Sequence, residues 1–188
     1  MLKHYKEFRK LKKLLNTTLI SIFIINCSYS QTADFYISKG KDANNKEEYN
    51  LAVYYFDLAL KLDSINFAAH DERGLAKYNL GRFDDAIADY EKAISINDKM
   101  PSPYFGIGSV KSTQLKYYEA INYYSISIEK SLAIGDTEFA GASYFIRGAT
   151  KSDLGDEQGM FEDYREAEKL GNLVAKEILR LYESIKLP

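Results

Sequence analysis

The chain repeats itself every 34 residues, and that period constrains its fold more than any other feature. Gly40, Gly74 and Gly108 are spaced by 34 residues, as are Ala52, Ala86 and Ala120. The aromatics keep the same register: Tyr49, Phe83 and Tyr117, then Phe56, Tyr90 and Tyr124. A fourth copy aligns through Tyr144, Gly148, Gly155, Tyr164 and Ala167, with Gly148 forty residues after Gly108. Such a period marks stacked supersecondary units, none of which buries its apolar face alone.

Each unit reads as two helices joined by a turn. In the second, Phe67 to Leu80 meets no helix breaker except Gly74, Gly81 suits the left-handed residue that ends a helix, and Asp84 to Ile96 starts another. Ala86, Ile87, Tyr90, Ala93 and Ile94 form one apolar stripe, and Asp85, Asp89, Glu91 and Lys92 lie away from it. The small residues Gly74 and Ala86 let the two arms approach closely. Only 3 Pro interrupt the chain, while 16 Tyr and 10 Phe supply side chains large enough to fill gaps between helices. These features predict an all-α fold.

Gly74-Leu75-Ala76, Leu80-Gly81-Arg82-Phe83, Asp85-Ala86-Ile87 and Tyr90-Glu91-Lys92-Ala93-Ile94 resemble a tetratricopeptide repeat (TPR) nearly residue for residue. The resemblance implies a right-handed helical solenoid of four helix pairs, at about 33–66, 67–100, 101–134 and 141–172, followed by a capping helix over 173–188. Tyr36, His70, Tyr104 and Tyr144 stand where the family has Trp, and Ser64 and Asp98 replace its terminal Pro. Glu47 stands where a turn Gly is usual, which predicts a looser turn over residues 44–47. The fourth repeat departs most, with Met160 in place of Ala and Glu157 in place of an aromatic. Six extra residues around Leu132 to Thr137 either lengthen two helices and widen the groove or form a neutral loop. In the final segment Val174, Ile178, Leu181 and Ile185 recur at helical spacing as the apolar stripe of a cap.

In TPR proteins the first helix of each pair lines a concave groove. The resemblance places Ile37, Lys41 and Asn44 there from the first repeat, and Asp71, Leu75, Tyr78 and Asn79 from the second. Phe105, Ser109 and Ser112 follow from the third repeat and Phe145 from the fourth. Apolar members of this set suit side chains of an extended or helical peptide, and Asn44, Asn79 and Ser112 suit its backbone. A clamp for acidic C-terminal tails is not expected, because its positions hold Ile37, Lys41 and uncharged residues.

Catalytic parts are scarce. The histidines are His4 and His70 and the single Cys is Cys27, too few for a nucleophile and base pair or a His/Cys metal site. His70 falls at a framework aromatic position and reads as a packed core residue. No phosphate loop, nucleophile elbow or calcium loop occurs, so neither a cofactor nor a metal is expected. The indicated role is a non-catalytic scaffold or adaptor with a protein or peptide partner. The alternative is an exported module for glycans or peptidoglycan fragments, suggested by the tyrosines.

Residues 1–30 read as an export signal. Lys3, Lys6, Arg9, Lys10, Lys12 and Lys13 precede an apolar run from Leu14 to Ile25, which is shorter than the roughly 20 residues a membrane span needs. Ser28 and Ser30 suit the −3 and −1 positions of a cleavage site, giving a mature start at Gln31. Lipidation of Cys27 and an uncleaved anchor are the other readings, and all three place the folded part outside the cytoplasm. Removing the segment leaves 19 basic and 26 acidic side chains, a net of −7. That charge argues against nucleic acid as a partner. The mature chain would also lack Cys and rely on packing rather than disulfides.

Overall fold

The computed structural model describes residue 12 and residues 32–186, and the regular structure within these is α-helix joined by turns. The proposed signal, apart from Lys12, lies outside the described residues. Contacts divide the chain into two compact units between Ile65 and Asn66.

The first unit contains helix α1 (residues 32–45) and helix α2 (Tyr49–Leu62). Phe56 is fully buried against the bare backbone of Gly40, where an added Cβ would lie 2.5 Å from the ring. The turn between the helices is not looser than the others. Glu47 adopts φ 61°, its N–H bonds the Asn44 carbonyl at 2.9 Å, and Glu48 N–H bonds the Ala43 carbonyl at 2.9 Å. The backbone hydrogen bonds of the turn impose the left-handed conformation even without glycine.

The second unit holds α3 (Phe67–Asn79), α4 (Phe83–Ile96), α5 (Ser102–Thr113), α6 (Tyr117–Ala133), α7 (Thr137–Asp153), α8 (Glu157–Lys169) and α9 (Leu173–Lys186). Each packs on the next in sequence, and α3 also touches α5, so hairpins stack on hairpins as in a solenoid. The contact that sets the hairpin spacing recurs throughout. A Cβ on Gly74 would lie 2.8 Å from the Tyr90 ring, one on Gly108 2.7 Å from Tyr124, and one on Gly148 2.9 Å from Tyr164. In each case the aromatic ring rests on backbone that only glycine leaves uncovered. Ala86 and Ala120 are fully buried beside these contacts.

The turn after α5 repeats the geometry of the first unit's turn. Leu115 takes φ 59° at the place Gly81 and Gly155 fill with φ 74° and 81°, and Leu115 N–H bonds the Ser112 carbonyl at 2.9 Å. The extra residues between the third and fourth repeats lengthen the helices: α6 and α7 each have 17 residues, against 14 in α4 and 12 in α5. Asp136 caps the longer α7, its Oδ1 accepting the Phe139 N–H at 3.0 Å.

The expected stripe of α9 is corrected by one residue. Ala175 and Leu179 are its buried positions, with Ile178 packed beside them against Tyr164 and Ala167. Val174 and Leu181 point outward, 56% and 55% exposed, so they are not the face that caps α8. Asn172 caps α9 through the Ala175 N–H at 2.9 Å.

Candidate protein-binding cleft

Helix α3 presents two distinct faces. One, made of His70, Arg73 and Lys77 at spacings of three and four, turns toward α4. There Arg73 forks onto Asp89, Nε to Oδ2 at 2.8 Å and Nη2 to Oδ1 at 2.5 Å, while Lys77 Nζ donates to Oδ2 at 2.7 Å. His70 Nδ1 lies 3.2 Å from Asp89 Oδ1, so the histidine is buried but packs through a polar contact. Asp89, expected off the apolar stripe, is only 4% exposed. Burial alone would push its carboxyl pKa up, but the bonds and charges of Arg73 and Lys77 outweigh burial and hold it below the ordinary value. The same clasp recurs in the last hairpin. Arg147 forks onto Asp163 at 2.9 and 2.6 Å, Lys151 lies 3.0 Å from it, and Arg147 Nη1 reaches Ser125 Oγ at 2.8 Å.

The other face of α3 opens on a concave cleft of about 350 Å³. Asp71, Glu72, Leu75 and Tyr78 line it from α3, Ser102, Phe105, Gly106 and Ser109 from α5, Tyr90 from α4 and Phe139 from α7. Its walls are held internally. Ser102 Oγ donates to Asp71 Oδ2 at 2.6 Å, tying the start of α5 to α3, and the Tyr78 hydroxyl pairs with Thr113 Oγ1 at 3.0 Å. Phe105 packs on Tyr124 at 5.3 Å and edge-on to Phe139 at 5.5 Å. Burial pushes the Tyr90 phenol far above its usual range, and Asp71 and Glu72 reinforce the shift.

Five expected groove residues therefore meet in one cleft: Asp71, Leu75, Tyr78, Phe105 and Ser109. The others lie elsewhere. Asn79 donates to the Leu75 carbonyl of its own helix at 3.0 Å and does not line the cleft, because a side chain four residues on meets a nearer acceptor than any ligand. Ser112 sits beside the Tyr124 hydroxyl. Phe145 stacks on Tyr164 at 5.2 Å in the C-terminal core. In the first unit Ile37 is buried, leaving little of it for a ligand, while Lys41 is exposed and Asn44 half-buried.

Residues 74–114 match the family described as TPR repeat. The structure resembles PilF of Pseudomonas aeruginosa at 16% identity and TM-score 0.69, covering 77% of this chain and 63% of that one. The type III secretion translocator chaperone SycD of Yersinia enterocolitica follows at 18% identity and TM-score 0.62, over 66% of this chain and 95% of that one. The first TPR of Spaghetti (RPAP3), bound to the HSP90 peptide SRMEEVD, aligns at 21% identity and TM-score 0.58, over 67% and 95%. The fold is that of a TPR solenoid. The curated proteins offered no match.

Within the TPR solenoid, Glu72, Tyr90, Ser102, Gly106 and Phe139 are cleft residues that the sequence reading missed. Tyr90, which the period places on the apolar stripe of α4, is core on one side and cleft floor on the other. Gly106 exposes that floor, since a Cβ there would run into the Tyr90 ring. Phe139 belongs to the lengthened first turn of α7 and has no counterpart in the 34-residue repeat. No helix among the described residues is long and apolar enough to cross a membrane.

Proposed function

We propose that the protein is a non-catalytic adaptor whose central cleft takes a segment of a partner protein. The observation that carries this reading is the convergence of α3, α5 and α7, the first helices of three successive hairpins, on one concave surface with an apolar floor. The relatives support the same use of the fold: SycD is described as a chaperone, and the RPAP3 repeat holds a peptide. Leu75 is 42% exposed in the cleft, so Leu75→Trp fills the cleft without disturbing the core. Tyr118, 81% exposed on α6 and absent from the cleft lining, is the control. Affinity capture from the native host should retain a protein with wild type and Tyr118→Ala and lose it with Leu75→Trp. Equal capture by all three would place binding elsewhere on the chain.

Export of the chain is part of the same proposal and rests on the order of basic and apolar residues in 1–30. Intact-mass spectrometry of native fractions separates its forms. A start at Gln31 in the soluble fraction means a free exported adaptor, a lipid adduct on Cys27 a tethered one, and an unprocessed mass in the cytosol overturns export.

A further inference from the structure

We infer that the first hairpin rests on a membrane surface through a run of aromatic rings near the start of the folded chain. This rests on export in a tethered form, held by a lipid on Cys27 or by the uncleaved apolar run, and not on the cleft. Phe35 and Tyr36 of α1 meet edge-on at 5.5 Å, Tyr36 stacks on Tyr55 of α2 at 6.5 Å, and Tyr55 lies 5.6 Å from Tyr54. The run therefore crosses both helices of the hairpin, and its two ends, Phe35 and Tyr54, are each 56% exposed. Leu51, one turn before Tyr54 on α2, is exposed as well. The Lys39 Nζ sits over the Phe35 ring, 5.7 Å from its centre.

Position and chemistry select a bilayer as the occupant. Phe35 follows Cys27 by eight residues and Ile25 by ten. Ten residues of chain span at most about 36 Å, so either tether keeps the ring within that distance of its attachment to the membrane. Tyr and Phe rings beside a Lys stem combine apolar bodies with polar tips, the composition that settles at head-group level. Charge does not drive the contact, because residues 32–65 hold four Lys against six Asp and Glu. Burial of the rings is then the source of binding, and it persists on zwitterionic lipid and in salt.

The chain contains no Trp, so a single introduced one reports its own surroundings. The test recovers Tyr54→Trp, and Tyr118→Trp as the exposed control on α6, from the native membrane fraction. Each is reconstituted into phosphatidylcholine vesicles carrying brominated acyl chains. Emission of the Tyr54→Trp chain should shift to the blue and be quenched by the bromines alike at about 50 and 500 mM salt, and that of Tyr118→Trp should do neither. Adding Phe35→Ser should weaken the quenching and leave circular dichroism melting unchanged, since that ring lies on the surface. Unquenched Tyr54→Trp in a chain that floats with the vesicles, or equal quenching of both chains, would overturn the ring contact while the tether stands. A blue shift of Tyr54→Trp without lipid would assign the rings to a second copy and overturn the contact as well. Recovery from the soluble fraction alone, with a start at Gln31, would overturn tether and contact together and leave the cleft standing.

Discussion

The hairpins α3/α4 and α5/α6 solve the same packing problem with opposite chemistry. Where the first puts Arg73, Lys77 and Asp89, the second has Ile107, Lys111 and Tyr123 at the equivalent positions, 34 residues later. Ile107 is 1% exposed and packs with Tyr90, Val110 and Tyr123, whereas Asp89 at 4% is held by three basic side chains. Lys111 turns instead to Glu119, 2.7 Å away and exposed. The repeat backbone thus fixes the shape of the gap but not what fills it. A buried ion pair and an apolar pair of similar bulk are often nearly equivalent in stability, but removing one partner of the ion pair is strongly destabilising.

Breaking the clasp gives the largest expected effect. Asp89→Ala removes the buried carboxylate that His70, Arg73 and Lys77 share and should cost about 3 kcal/mol. For a chain of this size that lowers Tm by about 6–12 °C in a thermal melt. Copying the other hairpin with Arg73→Ile/Asp89→Tyr should stay within about 1 kcal/mol of wild type. A double variant as unstable as Asp89→Ala would show that the two hairpins are not interchangeable.

The next effect concerns what both hairpins share. Gly106 and Gly74 approach the Tyr90 ring from neighbouring helices, and a methyl group at either would overlap it. Gly106→Ala should cost about 1–3 kcal/mol by urea unfolding, because the added methyl displaces the Tyr90 ring from the backbone it rests on. A smaller but opposite effect is expected at the turn that distinguishes the hairpins. Leu115 holds φ 59° and is 71% exposed, whereas α3/α4 turns on Gly81. Leu115→Gly removes about 1 kcal/mol or more of left-handed strain and loses about 0.4–1 kcal/mol through the freer unfolded chain, so stability should hold or rise slightly. A clear drop in Tm would show that the Leu115 side chain contributes packing of its own.

The pH response sharpens the same contrast. The Asp89 carboxyl titrates below its ordinary value of 3.8 in the folded chain, so its contribution is complete above that value. It is lost as pH falls through the folded pKa, because the unfolded chain then binds the proton more readily. Arg73→Ile/Asp89→Tyr should therefore lose less stability than wild type in acid melts below about pH 4. Parallel acid curves for the two proteins would remove Asp89 as the source.

The repeat was legible in sequence because glycine and aromatic residues must recur where helices touch, and Gly74, Gly108 and Gly148 each meet the ring that the period assigns to them. Half of the cleft was legible for the same reason, since Asp71, Leu75 and Phe105 occupy fixed places on first helices. Features outside the repeat were not. The Arg73–Asp89 clasp skips the α5/α6 hairpin and returns at Arg147–Asp163, so a periodic reading places Asp89 on the surface. Phe139 enters the cleft from an inserted turn, and α9 buries the apolar face of Ala175, Ile178 and Leu179 rather than the neighbouring one that carries Val174 and Leu181.

The clasp holds one face of α3 against α4 and leaves Leu75 on the face that lines the cleft. The decisive measurement is photo-crosslinking in the native host with benzoylphenylalanine placed at Leu75 or at Tyr118. Discrete partner adducts from Leu75, with none from Tyr118, are the predicted result. Adducts from Tyr118 with none from Leu75 would contradict the cleft as the working surface.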